Sequence, residues 1–443
     1  MGLTYDFQAM PELSAESWLA ATQAFTAVQN SKANLGFSKL PYADISELKK
    51  LAQAVSSEVE AVIAIGIGGS DLGARAVHRA LNHQFYNQLS EDRRHAPRLF
   101  FLGDTTDPEA IHEVLDVVDL TKTAVVIISK SGNTIEQMST FVYVQSKIPE
   151  ELRRQRIIVI TDAEAGTLRA LVTKEEYRSL PVPSDVGGRF SVLSTVALFV
   201  IALTGVKVDQ LLEGARWMDE QAAKSVETDP VLRFATHQYQ AATHGQPISV
   251  LMPYQYCLRE VGFWYRQLWA ESLGKRLDRL GAVVNVGSTP IAALGPTDQH
   301  SQLQLYCEGP KDKVLTFIGI EETSNDAELP AVYPDLEGIS YLAGHHFGEI
   351  LKAEMQSTAA ALQDDGRPSS TITLTKLDAF HLGALLYFFE LATAYSGELY
   401  GINAYDQPGV ELSKDIMYGL LKRPGYFVYK PTLATPEQMI ILK

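Results

Sequence analysis

The sequence predicts an α/β protein of two successive units, each a parallel β-sheet sandwiched by helices, with a helical arm at the C-terminus. Three observations carry this. Short β-branched runs alternate with helical patterns between residues 61 and 160. The alternation resumes between residues 248 and 400. Two of the runs pass straight into glycine- or hydroxyl-rich turns that open a helix, an arrangement suited to holding an anion.

In chain order, an amphipathic helix at residues 14–30 comes first. Strands follow at 61–65, 99–102, 125–129 and 157–160, separated by helices near 74–89, 108–118 and 133–148. The uncharged stretch 190–206 is short for a bilayer span and carries four hydroxyl residues, so it reads as a buried core helix. Amphipathic helices near 208–226 and 230–244 lead to the second alternation. Its strands are expected at 248–252, 282–286, 314–318 and 371–374, with helices near 260–273, 299–307, 346–363 and 379–400. A last helix near 410–421 precedes an arm rich in Pro and Tyr that is expected to pack on a neighbour. The resulting division is an N-terminal helical segment 1–44, units at 45–206 and 207–401, and a C-terminal segment 402–443.

A chain of 443 residues, 46% hydrophobic and 21% charged, suits two core-bearing domains. The net charge of −15 disfavours nucleic acid and anionic lipid as partners, so an anionic ligand needs locally concentrated cations. Cys257 and Cys307 form no zinc pattern and read as buried free thiols of a reducing cytoplasm. The first residues are interrupted by Asp6, Glu12 and Glu16 and do not read as a leader, so a cytoplasmic location is expected.

The segment Val125-Val-Ile-Ile-Ser-Lys-Ser-Gly-Asn-Thr-Ile-Glu136 runs from strand to helix start. Backbone N–H groups, the hydroxyls of Ser129, Ser131 and Thr134, and the charge of Lys130 make a phosphate cradle there; an ordinary capped turn is the alternative. Ala61-Val-Ile-Ala-Ile-Gly-Ile-Gly-Gly-Ser-Asp-Leu-Gly73 is a second such turn. Asp71 stands where a dinucleotide fingerprint needs its third glycine, which ranks a nicotinamide cofactor below a monophosphate. Asp185-Val-Gly-Gly-Arg-Phe-Ser191 sets Arg189 directly after two glycines. In Tyr265-Arg-Gln-Leu-Trp-Ala-Glu-Ser-Leu-Gly-Lys275, Glu271 falls in the last turn of a helix with Gln267 at i−4 on the same face. A carboxylate meets an unfavourable dipole there, which marks either a used residue or a solvated surface one. Tyr405-Asp-Gln-Pro-Gly-Val-Glu-Leu-Ser-Lys414 offers Gln407 and Lys414, or simply a capped surface helix. His345 and His346 with Glu349 lack a third ligand, so no metal is assigned.

Together the Asp185–Ser191 and Tyr405–Lys414 segments, the Ser129–Thr134 loop and the Gly68-Gly-Ser70 turn resemble the signatures of the phosphoglucose isomerases of compact bacterial type. That resemblance extends over nearly the whole chain. It implies two sugar-isomerase (SIS) domains and a cofactor-free aldose–ketose isomerisation of glucose 6-phosphate to fructose 6-phosphate. It implies Glu271 as the base that moves a proton between C2 and C1, and Arg189 as the cation that stabilises the enediolate. Ring opening falls to the histidine in Gly295-Pro-Thr-Asp-Gln-His300 together with Lys414. Gly69, Ser70, Ser129, Lys130, Ser131, Asn133, Thr134, Gly188, Gln267 and Gln407 are the implied substrate contacts. A homodimer is implied as well, with His300 donated across the interface. The sequence adds that Asp298 reads as an N-cap, which would put His300 in a first helical turn, where the dipole disfavours imidazolium.

Two other readings share these residues. A non-catalytic SIS sensor would use the phosphate loop but has no need of Glu271, Arg189, His300 and Lys414 together. A bifunctional phosphoglucose/phosphomannose isomerase differs only in pocket shape at C2. The isomerase half of glucosamine-6-phosphate synthase shares the fold, but its ammonia supply needs an N-terminal cysteine where this chain has Met1-Gly2-Leu3.

Overall fold

The computed structural model describes residues 2–427. Its strands are β1 (Leu3–Asp6), β2 (Ala61–Ile65), β3 (Arg98–Leu102), β4 (Thr123–Ile128), β5 (Ile157–Asp162), β6 (Arg178–Val182), β7 (Ile248–Pro253), β8 (Lys275–Leu277), β9 (Val283–Val286), β10 (Thr289–Ala292), β11 (Lys313–Glu322) and β12 (Ser369–Lys376). Strands β2 to β6 make a fully parallel sheet in the order β3-β2-β4-β5-β6. The inner strands β2, β4 and β5 are buried along nearly their whole length, as strands covered on both faces must be.

The strand order reverses between β2 and β4, and this reversal positions the site. Helix Leu72–Leu81, which leaves β2, packs with Val62 and Ala64 on one face of the sheet. Helix Ile135–Lys147, which leaves β4, packs with Ile63 and Ile65 on the other. The departing connections diverge beyond the C-terminal ends of β2 and β4, the place where open α/β sheets bind their ligands.

The second sheet has the order β1-β12-β11-β7-β10, parallel except for β1. Helix Ala379–Leu399 is buried almost all round and packs against helices Ala15–Ser31, Val208–Ala222 and Pro230–Thr243. A single apolar cluster joins Ala64 and Val126 of the first sheet to Leu251 and Ile318 of the second. Residues up to Ala404 form one compact unit, and a second unit begins at Tyr405. Within the described part of that second unit, helix Glu411–Leu420 is followed by Arg423, whose guanidinium lies 4.4 Å from the centre of the Tyr418 ring. Most of the C-terminal arm expected to pack on a neighbour lies outside the described residues.

The inner strands fall close to their expected places, whereas the edges differ. β1, β6 and β10 have no counterpart in the sequence reading, and β10, not the strand expected at 282–286, joins the second sheet. β6 contains Pro181 and β10 contains Pro290; both are edge strands, where a missing N–H is tolerated. Residues 283–286 pair instead with β8 in a hairpin outside the main sheets, leaving Val283 and Val284 exposed. The uncharged stretch 190–206 contributes only helix Thr195–Ala202, buried on six of its residues, and no described helix is long and apolar enough to cross a membrane. Cys257 and Cys307 are free but half-buried, not buried, each packed at the margin of an apolar cluster rather than inside it.

Candidate active site

Beyond β2 the chain makes a 3-10 turn, Gly68–Ser70, and beyond the first sheet a second one, Gly188–Phe190. The two turns touch backbone to backbone. A Cβ on Gly69 would collide with the carbonyl of Gly188, so glycine is required for this approach. Ser191 Oγ ties the pair by donating to the carbonyl of Gly188 at 2.6 Å and to that of Gly69 at 3.2 Å. Gly68 has φ +56°, and a side chain there would meet Gln267 Nε2 at 2.8 Å. The last turns of helix Arg259–Leu273 thus lie directly over the glycine turn.

That helix delivers Glu271 to the same point. Gln267 Nε2 donates to Glu271 Oε2 at 3.2 Å, as the i−4 spacing predicted. Arg189 Nη1 lies 3.9 Å from the same oxygen, with the arginine side chain 1% exposed and the glutamate 24% exposed. Glu271 Oε1 has no hydrogen bond among the described residues. Arg189 Nε donates to Ser272 Oγ at 2.6 Å, and Nη2 donates to the carbonyl of Ala404 at 2.7 Å. Taking a guanidinium out of water costs several kcal/mol, and these acceptors together with the Glu271 charge offset that cost. Lys275 Nζ donates to the main-chain carbonyl of Glu271 at 3.0 Å.

The structure therefore brings Gly69, Gly188, Arg189, Gln267 and Glu271 together, with Ser70 in the same glycine turn. Ser272, Ser191, Lys275 and the Ala404 carbonyl had not been singled out. Ser272 carried one signal, its place next to Glu271; the partner that gives it meaning is 83 residues away.

The second group, Ser129, Lys130, Ser131, Asn133 and Thr134, occupies the loop between β4 and helix Ile135–Lys147, on the other side of the strand-order reversal. Ser129 is buried, and its Oγ accepts from Gly132 N at 3.2 Å, so this hydroxyl shapes the loop. Ser131 and Thr134 are more open, and Thr134 occupies the N-cap position without a side-chain cap bond. Thr167 donates to Asn133 Oδ1 at 3.0 Å. Lys130 departs from the cradle reading: its ammonium donates to the carbonyls of Ser184 at 2.7 Å and Val186 at 3.2 Å, which straps the loop to the Asp185–Arg189 segment. Replacing Ser131 and Thr134 by alanine is expected to raise KM by roughly 10- to 100-fold, the loss of one or two charge-assisted bonds, with kcat near wild type. A large fall in kcat at unchanged KM would remove both residues from phosphate binding.

Asp71 explains its own departure from the dinucleotide pattern. It is buried, Arg75 Nε holds its Oδ2 at 2.6 Å, and Arg75 also reaches Asp104 at 2.9 Å. Burial pushes this carboxyl up to about 7, although Arg75 beside it pulls the other way. Asp71 and Asp104 are thus tied to one arginine.

His300 ends a 3-10 turn, Thr297–His300, that follows β10; it is exposed, and its side chain has no hydrogen bond among the described residues. The expected helix start at Asp298 is not formed. Asp298 lies inside the turn, and its carboxylate accepts from Leu294 N at 2.7 Å and Ser301 Oγ at 2.5 Å, so the dipole argument for His300 falls. The α-helix begins only at Leu303. Lys414 and Gln407 belong to the second unit: Gln407 precedes the 3-10 turn Pro408–Val410, and Lys414 pairs with Glu411 at 2.8 Å. His345 pairs with Glu349 at 2.9 Å, and no group of metal-ligating side chains converges among the described residues.

Beyond the strand-order reversal of a parallel sheet, a glycine turn thus lies beside a buried arginine and a partly exposed glutamate. Comparison with known proteins gives the assignment. The sequence profile of phosphoglucose isomerase matches residues 49–425, and the chain belongs to that family. It is 43% identical to a glucose-6-phosphate isomerase of Rubrobacter xylanophilus over 88% of this chain and 90% of that protein. Among solved structures, a hypothetical protein from Thermus thermophilus superposes with TM-score 0.85 at 34% identity, covering 95% of this chain and 99% of that one. A glucose-6-phosphate isomerase from Chlamydia trachomatis shares the fold with TM-score 0.80 at 22% identity, covering 95% and 88%.

Proposed function

We infer that the chain interconverts glucose 6-phosphate and fructose 6-phosphate, an aldose–ketose isomerisation of glycolysis and gluconeogenesis. The observation that carries this is the convergence of Glu271, Arg189 and Gln267 on the Gly68–Ser70 turn. Gln267 engages Oε2 of the glutamate and leaves Oε1 to take the C2 proton and return it to C1. The enediolate formed between these steps carries negative charge, and Arg189 is a fixed, desolvated cation beside the place where it develops. Ser131, Thr134 and the N-terminus of helix Ile135–Lys147 hold the phosphate, with Ser70, Asn133 and Gln407 completing the sugar contacts. His300 and Lys414 open the ring. His300 is an exposed imidazole, which suits donation to a neighbouring subunit, and the working unit proposed is a homodimer in the cytoplasm.

Incubation with glucose 6-phosphate in D2O tests the reading. Fructose 6-phosphate should form with deuterium entering at the carbon that receives the proton. Binding of sugar phosphate without turnover by a folded protein would favour the sensor reading. Mannose 6-phosphate assayed in parallel separates the single-substrate enzyme from the bifunctional one, and comparable rates on both would establish the latter.

A further inference from the structure

We propose that Ser272 is a positioning residue for the isomerisation, holding the Arg189 guanidinium off the catalytic carboxylate so that its charge serves the enediolate. The proposal rests on the assignment of Glu271 as base and Arg189 as stabiliser. Ser272 is fully buried, and its Oγ accepts from Arg189 Nε at 2.6 Å. The Ala404 carbonyl accepts from Nη2 at 2.7 Å. Acceptors on different nitrogens of a planar, rigid fork fix its orientation, and the Ser272 hydroxyl is the one that holds Nε. In that orientation Nη1 stands 3.9 Å from Glu271 Oε2, outside hydrogen-bond range.

The separation matters chemically. A guanidinium free to turn onto a neighbouring carboxylate forms a short, bidentate pair. Such a pair would tie up the electron pairs that must accept the C2 proton and would commit the positive charge to the ground state. Because Ser272 follows Glu271 on the same helix, one element sets the position of the base and of the group that restrains its counter-charge. The charged groups against Glu271 are Arg189 and Lys275, the latter on the main-chain carbonyl.

Ser272→Ala is expected to lower kcat by about 10- to 100-fold with KM within roughly twofold of wild type, the scale of an ångström-level misplacement. The acidic limb of the kcat–pH profile should move to lower pH, since a collapsed Arg189–Glu271 pair favours the carboxylate. Ser272→Cys, of nearly the same volume but a poor acceptor, should behave like alanine and covers the case in which the alanine variant unfolds. Ser272→Thr, which keeps the hydroxyl, should retain the wild-type profile. In an Arg189→Ala background Ser272→Ala should add no further loss. A folded Ser272→Ala enzyme with wild-type kcat and pH profile, or the same loss with Arg189 removed, overturns the proposal. Glu271→Gln and Arg189→Ala measured alongside separate the two levels: activity in both refutes the underlying assignment, whereas two inactive controls beside a fully active Ser272→Ala refute only the positioning role.

Discussion

Glu271→Gln is expected to lower kcat by roughly 10²- to 10⁴-fold while leaving affinity for the sugar phosphate nearly intact. The amide is close to isosteric and can still meet Gln267 across the 3.2 Å that separates the side chains. What it cannot do is accept the C2 proton. Solvent exchange of that hydrogen should therefore fall in step with turnover, and an exchange rate near wild type in the variant would place the base elsewhere. Affinity should survive because the phosphate contacts proposed above lie on the β4 loop, a different segment from the helix that carries the base.

The second large effect is a recovery of activity. Glu271→Gln and His300→Ala are each expected to be nearly inactive as pure proteins. If His300 serves the neighbouring subunit, a mixed dimer has one site with both lesions and one with neither. Co-expressed subunits should then regain close to half the wild-type activity per mixed dimer, read after the mixed dimers are separated by differential tags. If His300 serves its own subunit, every site keeps one lesion, and a silent preparation of verified mixed dimers excludes the shared site. The reverse pairing of two Glu271→Gln subunits is the baseline.

What was legible in the sequence divides along the range of the interactions. The buried strands β2, β4, β5 and β7 declared themselves, because an apolar run bounded by turns has few alternatives. Gln267 and Glu271 were legible as a pair because helical periodicity alone puts them on one face. Three of the edge strands were not: β1 spans four residues, and Pro181 and Pro290 break the pattern in β6 and β10. Nor was the setting of Arg189, since glycine before arginine announces a close approach without saying to what. Lys130 is the instructive case. Its charge beside three hydroxyls suggested a phosphate ligand, yet the carbonyls of residues 184 and 186, far along the chain, engage its ammonium. His300 was misplaced in local structure because the Asp298 carboxylate accepts from Leu294 N and Ser301 Oγ, on either side of its turn, instead of capping a helix.

The anchors of Arg189 also set a timetable for the newborn polypeptide. Strand pairing in the first sheet needs nothing beyond residue 182, so that sheet is free to form while the rest of the chain is still being made. The arginine emerges soon afterwards, but the groups that hold it arrive much later, at Ser272 and finally at Ala404. A ribosome-bound chain stopped short of that last carbonyl has its strands and its glycine turns but lacks one of the acceptors that hold the cation. Both acceptors thus exist together only once residue 404 has been made, and a product ended before it lacks one holder of the arginine however well its first half has folded.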